Sequence, residues 1–283
     1  MSFAFFTLGV MQFWSDVFFY QKWRIQCNFF TKKCRLLDNW DVCRHRGSFE
    51  DCKKAFLHYA EVYQMPKQKG HLVVLLHGLG GTKNSFRKMC KQLEELNYPT
   101  AAINYPSTRA KLKIHASQVD ILLDNLNDIS EISFITNGAG GLVVRETLSS
   151  DAKWMKKIKV KRIVQINPPN RWNRLGDKLG KFVIFRWIFG PMLAQYDAEA
   201  LAKLPKFPKN VEFGILCTHN SFFDRIMDFM PKALQNLVPK KEDAFLAGAK
   251  DAVNIKVFSP CPCTDKKTIN ASITFLKKGN FGI

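Results

Sequence analysis

Apolar positions change their spacing near residue 66, and the change divides the chain in two. Beyond it, short apolar runs recur at Leu72 to Leu76, Thr100 to Asn104, Ile132 to Thr136, Ile163 to Asn167, Val211 to Leu216 and Val253 to Phe258. Continuous runs of this length predict strands buried on both faces. Between several of them the apolar residues repeat at helical spacing, as in Ser85 to Leu96 and Ile114 to Leu126. Strand and helix in alternation predict an α/β fold over residues 66–283, with a doubly wound, mostly parallel sheet and helices on both faces.

Residues 1–65 read as a helical N-terminal extension. Ser48-Phe49-Glu50-Asp51 has the form of a helix start, and Phe56, Leu57, Tyr59, Ala60 and Tyr63 follow at helical spacing. Met65-Pro66-Lys67-Gln68-Lys69-Gly70 has the composition of a linker. Phe3 to Trp14 is apolar, but no basic residue precedes it and no small-residue cleavage pattern follows, so a signal peptide is not expected. Carried on to Tyr20, the stretch contains Asp16 and falls short of the ~20 apolar residues of a spanning helix. A buried or membrane-dipping helix is expected here, with Phe13, Trp14, Phe18, Phe19 and Tyr20 as docking face or interfacial anchor.

Composition narrows the partners more than the fold. Of 283 residues, 46% are hydrophobic and 24% charged, the balance of an ordinary globular protein. The formal net charge of +19 favours anionic partners, an anionic membrane surface among them. No nucleic-acid partner is expected, because the lysines are spread along the chain without a basic helix, zinc finger or RNP-like pattern. The eight cysteines include no C-x-x-C pair, which argues against zinc, and neither a metal nor another cofactor is expected. Cys261-Pro262-Cys263 leaves one residue between its thiols, too few for an unstrained disulfide. All eight read as reduced thiols of a cytoplasmic protein that associates at most peripherally with a membrane.

Two glycine-rich strand exits carry the candidate chemistry. His77-Gly78-Leu79-Gly80-Gly81 follows the run at Leu72 to Leu76, and glycines there let backbone amides approach a substrate carbonyl and donate to its oxyanion. The run Ile132 to Thr136 opens into Asn137-Gly138-Ala139-Gly140-Gly141, then Leu142, Val143, Val144 and Arg145. A strand turning into a helix through small residues is the setting of the G-x-S-x-G nucleophile elbow, and the frame puts Gly138 at the serine.

With both exits in place, residues from about 70 to 281 resemble the lipase and esterase branch of the α/β-hydrolase superfamily. The resemblance rests on Leu75 to Gly80, on Asn104-Tyr105-Pro106-Ser107, and on Phe134 to Arg145, whose centre is similar to the family's T-H-S-M-G-G run. Asn167-Pro168-Pro169-Asn170 and Phe275 to Phe281 resemble further segments of the family. It implies an oxyanion loop at His77, Gly78, Leu79 and Gly80, completed by Ala139. It also implies that Gly138 replaces the nucleophile, that Asn137 replaces a preceding histidine, and that the histidine base falls on Ser259 or its neighbours. Val253 to Ile283 contains no histidine. For the acid, the resemblance points to Asp243, with Asp224 as a second candidate.

A glycine has no side chain to activate, so acyl-enzyme chemistry at Gly138 is excluded under this frame. His219 with Asp224 could in principle activate water, though isolated histidines usually serve as surface or hydrogen-bonded residues. Cys261 and Cys263 lack an adjacent base. The basic and aromatic stretch Arg171 to Pro191 reads as a loop packed over the sheet, or as a lid over acyl chains. The leading expectation is an inactive homologue that binds an acyl or lipid-like ligand or a protein partner. The alternative is an active esterase or lipase with an unconventional triad.

Overall fold

A computed structural model of the chain describes residues 10–171, 191–192, 198–220 and 241–283. Within residues 66–283 the strands are β5 (His71–Leu76), β6 (Thr100–Ile103), β7 (Glu131–Asn137), β8 (Lys159–Ile166), β9 (Glu212–His219) and β10 (Asp251–Lys256). They form one sheet in the order β10-β9-β8-β7-β5-β6, and every neighbouring pair is parallel. Each apolar run read as a strand is a strand.

The helices lie on both faces, as parallel strands require of their connections. In this half they are α2 (Arg87–Glu95), α3 (Leu112–Asp124), α4 (Gly140–Thr147), α5 (Ala198–Lys203) and α6 (Lys266–Lys278). Leu112, Val119 and Leu123 of α3 and Leu142 and Val143 of α4 pack with Leu72, Val74, Phe134 and Ile163 on one face. On the other, Met89 and Leu93 of α2 and Ile269, Phe275 and Leu276 of α6 pack with Val73, Leu75, Ile135 and Val164. Two apolar layers separated by one residue of the strand period place the core on both sides of the sheet.

The extension departs from the expectation of a helical segment. It contains β1 (Trp14–Tyr20), β2 (Trp23–Asn28), β3 (Cys34–Leu37) and β4 (Cys43–Gly47), an antiparallel sheet in chain order, followed by α1 (Phe49–Val62). Only α1 matches the reading, with Ser48 and Asp51 forming a reciprocal capping box at its start. Phe56 and Cys52 of α1 close a small core with Phe18, Trp23, Ile25 and Leu36.

Three features hid the strands. A bulge between Asp16 and Phe18 breaks the alternation of β1. Asp16, Arg24 and Gln26 are polar yet buried, where a period-2 reading expects positions facing solvent. The hairpin turn is made by Gln21 and Lys22, both at positive φ (46° and 72°), without the glycine or asparagine that usually marks such a turn.

Cysteine is the second correction. Cys27 and Cys34 face each other across β2 and β3 and are joined in a disulfide, so two of the eight are not free thiols. Trp14–Tyr20 is a strand, so the apolar start does not continue as a helix to Tyr20; Phe3 to Gly9 lie outside the described residues. Among the described residues no helix is long and apolar enough to cross a membrane.

Candidate active site

The strand order fixes where a ligand would sit. From β5 the chain moves outward to β6, then crosses back to β7 on the other side of β5. A sheet of this kind has its crevice at the carboxyl ends of the two strands flanking that reversal. Those ends are His77 to Gly81 after β5 and Asn137 to Gly141 after β7, the two glycine-rich exits.

Gly138 turns the chain with φ at +52°, in the left-handed region, and its N–H donates to the Ile166 carbonyl at 2.8 Å. That is the sharp strand-to-helix turn an elbow needs. The next glycine answers a different demand. A Cβ on Gly140 would lie 2.5 Å from the Leu76 carbonyl oxygen and 2.9 Å from that of His77, so the start of α4 is pressed onto the backbone leaving β5. A Cβ on Gly78 would lie 3.1 Å from the Asn137 oxygen and 3.7 Å from the Ala139 nitrogen, which puts the two exits side by side. At Gly138 itself a Cβ would meet only the Gly78 Cα, at 3.8 Å.

His77 is buried and holds the loop. Its Nδ1 lies 2.8 Å from the Gly78 carbonyl, which can only accept, so Nδ1 carries the hydrogen. Nε2 then accepts from the Tyr105 N–H at 3.5 Å, the Tyr105 ring stacks on the imidazole at 4.3 Å, and the Tyr105 hydroxyl donates to the His77 carbonyl. Burial pushes the imidazole pKa down to about 4. A neutral ring with both nitrogens engaged is a bracket for the loop, with no free nitrogen to act as a base.

Farther round the loop, the Gly80 N–H donates to Ser107 Oγ at 2.9 Å. Gln12, wholly buried, donates from Nε2 to the Gly81 carbonyl at 2.7 Å and accepts at Oε1 from Ser107 and Thr108. Sequence reading missed Gln12 because a lone glutamine in an apolar stretch carries no signal for a contact 69 residues away. Leu79 packs its side chain against the core.

Asp243 lies in a single turn, Lys241–Ala244, between β9 and β10, and is buried; its carbonyl accepts from the Arg171 N–H at 2.7 Å. Beside it, Asn170 donates from Nδ2 to the Ala244 carbonyl and to Gln165 Oε1, and receives Arg145 Nη1 at Oδ1. Arg145 also donates to the carbonyls of Leu204 and Pro205, and burial lowers its pKa to about 10. This network fixes the turn bearing Asp243 against the loop leaving β8.

Ser259 lies three residues past β10, and its hydroxyl is 2.6 Å from Thr264 Oγ1 and accepts from the Cys261 N–H at 3.3 Å. Asp265 caps α6 through the Lys267 N–H and also accepts from the Phe258 N–H. A hydrogen bond from Cys263 holds the Cys261 thiol pKa down at about 7, while the buried Cys263 is pushed up. His219 is exposed, and its Nδ1 pairs with Asn254 Oδ1 at 3.2 Å. Asp224, Leu237 to Lys240 and Trp172 to Gly190 lie outside the described residues. Among the described residues no group of three or more His, Cys, Asp or Glu side chains could hold a metal ion.

No family model matches the sequence, and no curated protein matches it either. Solved structures do match. A mature lipase of Bacillus licheniformis superposes with a TM-score of 0.52 at 12% identity, covering 72% of this chain and 89% of its own. A gene product of Listeria innocua gives 0.49 at 15% identity, covering 73% and 93%, a likeness too loose to add weight. At such identities the similarity speaks for architecture alone. The parallel sheet, the reversal at β5 and the left-handed turn after β7, together with the superposition on a lipase, give the chain the α/β-hydrolase fold.

Proposed function

We propose that this chain is a catalytically inactive relative of lipases and esterases that keeps the hydrolase scaffold to bind a small apolar or acylated ligand above the strand ends. One observation carries the reading: the residue at the elbow, with the elbow's left-handed backbone, is Gly138. In subtilisin, removing the serine or the histidine of the triad costs about 10⁶-fold in rate, leaving ~10³ to 10⁴-fold over water from binding and oxyanion contacts. Here the serine position is glycine and the base position is Ser259, tied to Thr264. His77 is neutral and occupied at both nitrogens, which removes its imidazole as a substitute.

The test is hydrolysis of nitrophenyl esters from acetyl to palmitoyl by the purified chain, beside Gly138→Ser and Gly138→Ser/Ser259→His variants. Wild type is expected at the buffer background, with a measurable gain in the double variant. Wild-type turnover at rates ordinary for esterases, abolished by Asp243→Asn, would overturn the proposal in favour of an unconventional triad.

A further inference from the structure

The sheet added by the extension makes a cleft where it meets the hydrolase-like half. β6 is the edge strand of the parallel sheet, and the extension covers it: the Asp16 N–H donates to the Asn104 carbonyl, and the Asn104 N–H donates to Asp16 Oδ2 at 2.8 Å. Between that edge, α2 and the turn joining β3 to β4 lies a cleft of about 490 Å³, within the ~300 to 1,000 Å³ of ordinary ligand sites.

Its lining is strongly cationic. Lys22, Arg24, Lys83, Arg87 and Lys91 face two carboxylates, Asp41 and Glu94. Lys22 pairs with Glu94 at 2.8 Å and Lys83 with Asp41 at 2.6 Å. Arg87 and Lys91 stand one turn apart on α2, both exposed, and form no ion pair among the described residues. At the floor, the Arg24 side chain is only 7% exposed. Its Nη1 donates to Asp16 and to the Ala102 carbonyl, whereas its buried Nε has no hydrogen-bond partner and lies 3.6 Å from Asp41 Oδ1. Asp16 at 2.9 Å and Asp41 at 3.6 Å meet the charge of this guanidinium, so the cleft's cations without a counter-charge among the described residues are Arg87 and Lys91. Trp40, 75% exposed, stands on the rim.

We propose that this cleft binds a phosphate-bearing anion, with the phosphate held by Arg87 and Lys91 in front of the Arg24 guanidinium and the organic part resting on Trp40. The surplus of cations suits a dianion better than a single carboxylate, and arginine with lysine is the donor set that phosphate takes. This site is separate from the elbow and does not depend on whether the elbow is active.

The full chain would be titrated by calorimetry in 0.15 M salt with inorganic phosphate and with glycerol 3-phosphate. Sedimentation with phosphatidylcholine vesicles, with and without phosphatidic acid, forms the second arm. Arg87→Gln/Lys91→Gln is compared with Lys277→Gln/Lys278→Gln, which removes the same charge from exposed positions at the end of α6. Saturable binding by wild type and by the α6 variant is expected, weakened at least about tenfold in the cleft variant. Binding of the soluble phosphates assigns a free phosphate compound, and binding of phosphatidate vesicles alone assigns a lipid headgroup. Equal weakening in both variants, or no binding from either source, would overturn the proposal.

Discussion

Gly138 and Gly140 sit two residues apart and are glycine for different reasons, which makes them separable by substitution. At Gly138 the constraint is conformational: φ is +52° but the space beside Cα is open. Gly138→Ser is therefore expected to cost only about 1–2 kcal/mol, the penalty of a left-handed L-residue, and to remain folded. At Gly140 the constraint is steric, since a Cβ would meet two backbone carbonyls that cannot move aside. Gly140→Ala is expected to cost more than about 3 kcal/mol, because the start of α4 must lift from β5. Urea denaturation of the two variants checks the difference, and equal losses would mean that the exits are not in contact. The elbow was legible in sequence because its turn depends on local residue size. The reason for Gly140 was not, because it depends on the backbone leaving β5, more than 60 residues earlier.

Among the elements, β1 depends most on a single pair. Asp16 accepts from Arg24 Nη1 at 2.9 Å, from Gln26 Nε2 at 2.7 Å and from the Asn104 N–H, and both charged side chains are buried. Asp16→Ala leaves a buried guanidinium without its counter-charge and is expected to destabilise the chain by about 3–5 kcal/mol. An Asp16→Ala/Arg24→Met double variant should recover part of that loss, since an apolar pair needs no compensation. Chemical denaturation of both variants tests this; no recovery would mean that the pair matters through its backbone contacts alone. The same pair explains why β1 and β2 escaped a reading by periodicity. Charged residues on an inward face look like solvent positions until the partner across the hairpin is known, and the bulge after Asp16 shifts the alternation. β5, β6, β7 and β9 had no such disguise, since strands buried on both faces need no partner to declare themselves, whereas the edge strand β10 is largely exposed or half-buried.

For the whole molecule, burial of two histidines links stability to pH. Burial holds His77 and His115 near pKa 4, against 6.5 for an exposed imidazole. Between those values the unfolded chain binds more protons than the folded one, so stability is complete above about pH 6.5 and falls as pH drops toward 4. The loss is of order 3 kcal/mol per histidine at most. Thermal unfolding at pH 7.5 and pH 5 should show the decline, and His115→Gln should reduce the slope; a flat profile would mean that neither ring is sealed from water. By itself the sequence determined the parallel sheet, its flanking helices, the two glycine-rich exits and the glycine in the turn after β7, because each is written in residue size and apolar spacing over a few neighbours. The tertiary structure alone decided that the extension is a sheet capping β6, that Gln12 clamps the Gly80-Gly81 turn, that Cys27 meets Cys34, and that five cations share one cleft. Those features arise from side chains far apart in the chain, and their chemistry exists only once the backbone has brought them within reach.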